Sequence, residues 1–152
     1  METDMSPEMA SQVLGMLTGG GSMDHINTSL ALRLIPLAQE LEDSDLVEKL
    51  LEHASTLAKT DEEQGWARFE ALKVVEASLE SYLRLAEDAE RMEGASSLTA
   101  AVNHYVALLY LAEGQLDEAR ATAQHALRIR QTIEDKEGMA YGMALLLSLI
   151  HI

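Results

Sequence analysis

Small residues at helical spacing dominate residues 100–133, and they constrain the fold of this chain more than any other feature. They stand on both sides of one aromatic residue and one glycine, in the order Ala107, Tyr110, Gly114, Ala119, Ala123 and Ala126. The spacing predicts a helix, a tight turn at Gly114 and a second helix packed closely on the first. Because one such pair cannot cover its own apolar face, the pattern indicates an array of stacked hairpins.

The composition favours an all-α protein. Hydrophobic residues make up 47% of the 152 residues, which is enough to fill the core of one ordinary domain. The chain has only two prolines, Pro7 and Pro36, and its Val, Ile and Thr residues form no alternating runs. We therefore expect a right-handed stack of antiparallel helical hairpins and no strands.

The charge balance limits the classes of partner. Twenty-six acidic residues against 11 basic ones give a formal charge of −15, which opposes binding to a nucleic-acid backbone or to anionic lipid. Two interpretations stay open: a self-repelling surface that keeps the chain dissolved, or a preference for basic partners. The chain has no cysteine, so disulfides and thiolate zinc sites are excluded.

The sequence predicts neither export nor membrane insertion. The first residues, METDMSPEMASQ, carry acids where a secretory signal has basic residues. No apolar run reaches the roughly 18 residues of a membrane helix. We expect a cytoplasmic protein with no membrane contact.

Residues 1–23 are predicted to be a leader separate from the rest. Ser6 and Pro7 suit the start of a short helix, and the glycines at 19–21 suit a flexible joint after it. The favoured interpretation is a loosely held leader, and the alternative is a helix that caps the array. A further helix is expected over about 24–41, with a kink or break near residues 34–35 because of Pro36.

The next helices are expected over 46–59, after a cap at Asp43 or Ser44, and from Thr60 onwards. Residues 66–92 contain no glycine or proline, so they form either one long helix or two helices that meet near residues 76–78. We prefer two helices. Leu41 and Val75 are among the residues expected to point inwards. Gly94 should end the last of these helices, with Ser96 or Ser97 capping the next one.

Three segments align on an alanine late in the second helix of each predicted pair: Ala54, Ala89 and Ala126. The separations are 35 and 37 residues, and periods near 34 are typical of tetratricopeptide hairpins. The predicted repeat domain, 24–146, contains units at about 24–59, 61–94 and 96–133, followed by the first helix of a further unit.

Residues 100–133 resemble a tetratricopeptide repeat, because small residues, a large aromatic residue and a late alanine stand at the places that family uses. Those places are held by Ala107, Tyr110, Ala119 and Ala126, with Gly114 before the turn. Asn103 stands where the family often has Trp, and Gln131 stands near its usual Pro. The two earlier units lack the glycine before the turn. The longer acidic link at 134–137 is similar to arrays in bacterial signalling and transcription-regulatory proteins.

The last six residues, LSLIHI, resemble the translation of a transposon end used to prepare sequencing libraries. On this interpretation residues 147–152 are an adapter artefact, and the chain is a truncated metagenomic fragment of a longer protein. The alternative is an ordinary apolar helix end.

No motif points to catalysis, to a metal or to a cofactor. No two histidines stand three or four residues apart, so no helix presents a two-histidine metal face. His53 and His125 hold matching repeat positions and are interpreted as residues at the solvent edge of a helix. Clustered carboxylates are interpreted as a solvated helix face, and Met139 and Met143 as core residues. The sequence therefore predicts no enzyme activity.

The predicted partner-binding face is the outward side of the first helix in the clear repeat. It consists of Ala101, His104, Tyr105 and Leu108. For Tyr105 and Leu108, packing against the preceding hairpin is an equal alternative. Members of the family that clamp a terminal carboxylate use Lys, Asn and Arg on this side, so we expect no such clamp here.

These observations favour a scaffold that binds a protein or peptide partner, as the repeat part of a larger bacterial signalling or transcription-regulatory protein. The alternatives are an array attached to an enzymatic domain lost by truncation and a free-standing helical adaptor.

Overall fold

Helices account for all regular secondary structure in residues 6–150, the part of the chain that the computed structural model describes. The all-α prediction is confirmed, since none of these residues lies in a strand. The helices are α1 (Pro7–Thr18), α2 (Thr28–Glu40), α3 (Ser44–Leu57), α4 (Asp61–Val74), α5 (Leu79–Arg91), α6 (Ser96–Ala112), α7 (Leu116–Thr132) and α8 (Lys136–Ile150). No helix in residues 6–150 combines the length and the apolar character needed to cross a bilayer.

The chain divides into two compact units, residues 1–70 and residues 71–152. In the first unit α2 packs mainly against α3, and α1 contacts α2. In the second unit α6 packs most extensively against α7, α5 contacts α6, and α7 contacts α8. The helices of each of these pairs follow one another in the chain, as a hairpin array requires. Of the predicted adapter segment, residues 147–150 continue α8, and His151 and Ile152 lie outside the described residues.

Side-chain caps fix the starts of several helices. The hydroxyl of Ser6 accepts a hydrogen bond from the Met9 N–H at 3.2 Å, and Pro7 occupies the first helical position, as predicted. Helix α1 then buries three apolar residues, and Asp43 caps α3 by accepting from the Leu46 N–H at 3.1 Å. These caps pair backbone donors that the first turn of a helix leaves without a partner.

Helix α4 begins with a capping box. The Thr60 hydroxyl accepts from the Glu63 N–H at 3.1 Å, while the Glu63 carboxylate accepts from the Thr60 N–H at 3.3 Å. Backbone hydrogen bonds from Lys59 and Thr60 lower the pKa of Glu63 below its usual value, because they stabilise the ionised carboxylate. The predicted start of this helix at Thr60 and Asp61 is confirmed.

Two predictions about helix boundaries are wrong. Helix α2 begins at Thr28, rather than at about residue 24, behind an Asn27 cap. It continues through Pro36 without a break, and the alternative of a kink near residues 34–35 stays a prediction. Pro36 is exposed, so the hydrogen bond it cannot donate is lost on a side of the helix that water reaches. Helix α6 starts after Ala95 with no side-chain cap, so neither Ser96 nor Ser97 has the predicted capping role.

The most extensive contact between helices in the second unit lies where α6 meets α7. Ala107, Ala119 and Ala123 are 0–1% exposed, and they form one core cluster with Leu145 and Leu149 of α8. Alanine at these places lets the helix backbones approach, and the longer side chains of α8 fill the space beyond them. Ala126, later in α7, is also buried. The predicted hairpin is confirmed.

The ends of α1, α2, α4, α6 and α7 share one turn geometry. At Gly114 (φ 78°) the N–H donates to Leu111 O at 3.0 Å, and the following N–H, of Gln115, donates to Tyr110 O at 2.9 Å. This pair of bonds defines a Schellman turn. The same pair closes the helices that precede Gly20, Glu42, Glu76 and Glu134, all of which have positive φ. Three of these residues are glutamates, which pay a steric cost that glycine avoids.

The turns also correct two burial predictions and settle one alternative. Leu41 and Val75 are 61% and 71% exposed, because each stands immediately before a left-handed residue and points away from the helix contact.

Helix α4 ends at Val74 and α5 begins at Leu79, so residues 66–92 form two helices that meet at the predicted turn.

We expect Ala119→Leu to destabilise the protein by about 1–3 kcal/mol, because three added carbons have no space in the α6–α7 contact. Urea unfolding monitored by circular dichroism measures the change. Ala121→Leu is the matched control, since Ala121 is exposed on the same helix and should change the stability by less than about 0.5 kcal/mol. Equal effects of the two substitutions would contradict the close-contact assignment.

We expect Glu76→Gly to stabilise the protein by up to about 1 kcal/mol, because glycine relieves the left-handed backbone strain at the α4–α5 turn. The same substitution in the middle of an exposed helical surface, Glu87→Gly in α5, should cost about 1 kcal/mol. Opposite signs in thermal unfolding are the expected result. A loss of stability in both variants would show that Glu76 makes compensating contacts.

Candidate functional site

The predicted partner-binding face lies on a helix without charged residues. Helix α6 contains no Asp, Glu, Lys or Arg, and it buries Leu98, Val102 and Val106 on its inner side. Residues 101, 104, 105 and 108 recur at intervals of three and four, so they share the opposite side. The structure leaves three of them half-buried and Leu108 exposed at 40%.

Tyr105 packs against the preceding helix. Its ring lies 4.9 Å, centre to centre, from the ring of Tyr82 in α5, and the two planes are tilted by 39°. Tyr82 is 1% exposed, so the pair joins α5 to α6 at the edge of the core. Tyr105 is therefore a packing residue, which is the alternative interpretation given for it above. Part of its side chain remains exposed.

His104 is held by α7. An Nη atom of Arg130 lies 3.0 Å from His104 Nδ1, and the same atom donates to the carbonyl oxygen of Gly138 at 3.2 Å. Burial lowers the pKa of His104 below its usual value, and the positive charge of Arg130 lowers it further. The imidazole is consequently neutral near pH 7, and its Nδ1 atom is engaged within the protein.

Ala101 and Leu108 are the members of the predicted face that make no polar contact of their own. Ala101 is half-buried near the start of α6, and Leu108 is exposed two turns later. A partner that contacts this side of α6 therefore meets a mainly apolar surface, bordered by the rings of Tyr105 and His104.

A second apolar surface lies on α8, where sequence reasoning expected core. Met143 was predicted to be buried, yet it is 54% exposed, and Met139 is half-buried. The exposed large residues of this helix are Tyr141 (62%), Met143 (54%), Leu147 (55%) and Ile150 (64%). Residues 138–150 contain no charge, and that absence was the signal available in the sequence. The side of α8 that faces α7 carries two glycines. Gly138 leaves room for Arg130 of α7, and Gly142 leaves room for Leu127 of α7.

A groove not predicted from the sequence lies among α5, α6 and α7. Its volume is about 400 Å³, and its lining residues are Ala89, Glu90, Met92, Ala95, Ser96, Thr99, His125 and Ile129. At its edge His125 Nε2 lies 2.7 Å from the Glu90 carboxylate. The lining mixes apolar and polar side chains, and the ion-pairing groups already bind each other across the groove.

The histidines at matching repeat positions both bond to protein groups. His53 Nε2 lies 2.6 Å from the carbonyl oxygen of Ile26, whereas His125 pairs with Glu90. Both rings are half-buried, so they stand at the edge of a helix as predicted, and in addition they connect separate segments. Neither meets a second histidine: among residues 6–150 no three metal-capable side chains come together.

Asn103 is a buried polar residue of α6 and is 8% exposed. Its side-chain amide donates to Thr99 O at 2.8 Å, one turn earlier in α6. This bond satisfies the buried amide within the helix.

No protein-family model, no curated protein and no solved structure matches this chain.

We expect Tyr105→Ala to cost about 2–3 kcal/mol, because it removes a ring that packs on buried Tyr82. Leu108→Ala on the same face should cost no more than about 1 kcal/mol, since Leu108 is already exposed to water. Urea unfolding of the two variants separates a packing residue from a surface residue. Similar values for both would contradict the placement of Tyr105 against α5.

Proposed function

We propose that this chain is a protein-interaction scaffold whose partner binds the apolar outward surfaces of α6 and α8. One observation supports the proposal above the others: two helices with no charged residue along most of their length expose large apolar side chains in a chain of net charge −15. Exposed apolar clusters of this kind are typical of protein-binding surfaces.

The distribution of charge supports a protein partner. Within the second unit, α5 and α7 carry charged residues along their length, while α6 and the last 13 residues of α8 (138–150) carry none. A partner that covers α6 and α8 would bury apolar area without stripping water from carboxylates, which would oppose binding. The surrounding negative charge would favour a partner with a basic rim and speed its approach.

The repeated turn supports placing the chain in the tetratricopeptide class of scaffolds. Thirty-four residues separate Glu42 from Glu76, and 38 separate Glu76 from Gly114, all at the same Schellman position. In keeping with this resemblance, we propose a cytoplasmic role within a bacterial signalling or transcription-regulatory protein, with binding rather than catalysis as the contribution of this chain.

Site-specific photocrosslinking tests the surface. A benzophenone amino acid placed at position 108 or at position 143 should crosslink the chain to the same protein in a bacterial lysate. Position 121 is the matched control, because Ala121 is exposed on α7 among charged residues. Crosslinked species are separated by gel and identified by mass spectrometry.

Charged substitutions on the same surface provide a second test of the crosslink. Leu108→Glu and Met143→Glu should each abolish the crosslink formed from the other position, since a carboxylate in an apolar contact must be desolvated. Ala121→Glu should leave it unchanged. Crosslinks that are equally frequent from position 121, or that join only two copies of this chain, would reject a separate protein partner on this surface.

A further inference from the structure

Arg130 connects the last three helices of the second unit. It extends from the final turn of α7, and one of its Nη atoms contacts both His104 Nδ1 in α6 and Gly138 O in α8. The side chain is half-buried, and a β-carbon at position 138 would lie 2.8 Å from Arg130 Nε. Gly138 thus provides the space that lets a guanidinium lie between the helices.

Hydrogen-bond chemistry fixes the protonation of His104. A guanidinium has only N–H donors and keeps its charge at every pH where proteins fold. The nitrogen that faces it must therefore act as an acceptor, so Nδ1 carries a lone pair and the imidazole proton lies on Nε2. A second proton could be added only at Nδ1, where it would place a donor and a positive charge directly against Arg130.

We propose that His104 and Arg130 form a pH-sensitive latch, which holds α8 on the α6–α7 hairpin while His104 is neutral and loosens that hold in acid. The latch works because a single guanidinium nitrogen serves both contacts. When protonated His104 repels it, the bond to Gly138 O is disturbed as well, and the start of α8 loses its polar connection to α7. Near the other end of α8, Arg120 still donates to Leu149 O at 3.4 Å.

The charged surroundings reinforce the latch rather than relieve it. Asp135, in the α7–α8 turn, attracts Arg130 and accepts from the Gly138 N–H at 2.9 Å, so it keeps the guanidinium in place. Among the charged groups, only Arg130 acts on the pKa of His104. Of the charged side chains of α5, all but Glu87 form contacts elsewhere, namely Glu80–Arg84, Asp88–Arg91 and Glu90–His125. On the α5 side of His104 the neighbouring ring pair is Tyr82–Tyr105.

The direction of the pH effect follows from the pKa. Burial and the charge of Arg130 hold the pKa of His104 in the folded protein below its ordinary value of 6.5. Near and below that value the unfolded or loosened state therefore binds more protons than the latched state. The contribution of neutral His104 to stability is fully present above pH 6.5. It is lost as the pH falls through 6.5 towards the lower pKa that His104 has in the folded protein.

Hydrogen exchange measured by mass spectrometry tests the latch on the whole chain. After correction for intrinsic exchange, the opening of α8 amides should increase several-fold between about pH 7.5 and about pH 5. His104→Gln should show little of this increase, because the glutamine oxygen accepts from Arg130 at either pH. Arg130→Met should open α8 more at the higher pH and gain little on acidification.

Two further measurements keep the result decisive. His125→Gln is the control: it removes a histidine that faces a carboxylate, so it should retain the wild-type loosening of α8. Nitrogen NMR of the wild-type protein should show the Nε2–H tautomer of His104 near pH 7. Loosening of α8 in His104→Gln that equals the wild type, or an Nδ1–H tautomer, would overturn the latch.

Discussion

The second unit depends on the contact between α6 and α7, where alanines let two helix backbones approach without side chains between them. Ala107 and Ala119 are fully buried, and the residues that pack over them come from α8. Close approach here brings Arg130, at the far end of α7, within reach of His104 in α6. The polar connection from Arg130 to the start of α8 is thus a consequence of small residues about one to three turns away.

The turns show that geometry can be retained where the usual residue is missing. Gly114 marks one Schellman turn, while Glu42, Glu76 and Glu134 adopt the same left-handed conformation without glycine. The two bonds that close each turn, and the packing of the helices on either side, offset the steric cost of a side chain there. Degenerate sequence in the earlier units therefore does not mean different backbone geometry.

Much of the fold could be predicted from the sequence, because apolar periodicity, caps and small residues are local signals. The α6–α7 hairpin, the Asp43 cap and the turn before α5 all follow from them. Burial at helix ends could not be predicted. Val75 has the spacing of an inward-facing residue, but it stands immediately before Glu76, where the chain turns out of the helix. The face of α6 was predictable as a surface. The role of His104 was not, because its partner lies 26 residues away on another helix.

The partner atom, rather than the histidine, decides the role of each imidazole. His53 faces a backbone carbonyl oxygen and His125 faces a carboxylate, and both of these partners accept a hydrogen bond from the ring. His104 faces a guanidinium, so protonation replaces a hydrogen bond with repulsion. The contact that acid weakens is thus the one that joins α6, α7 and α8, and it lies between the two helices proposed to bind a partner.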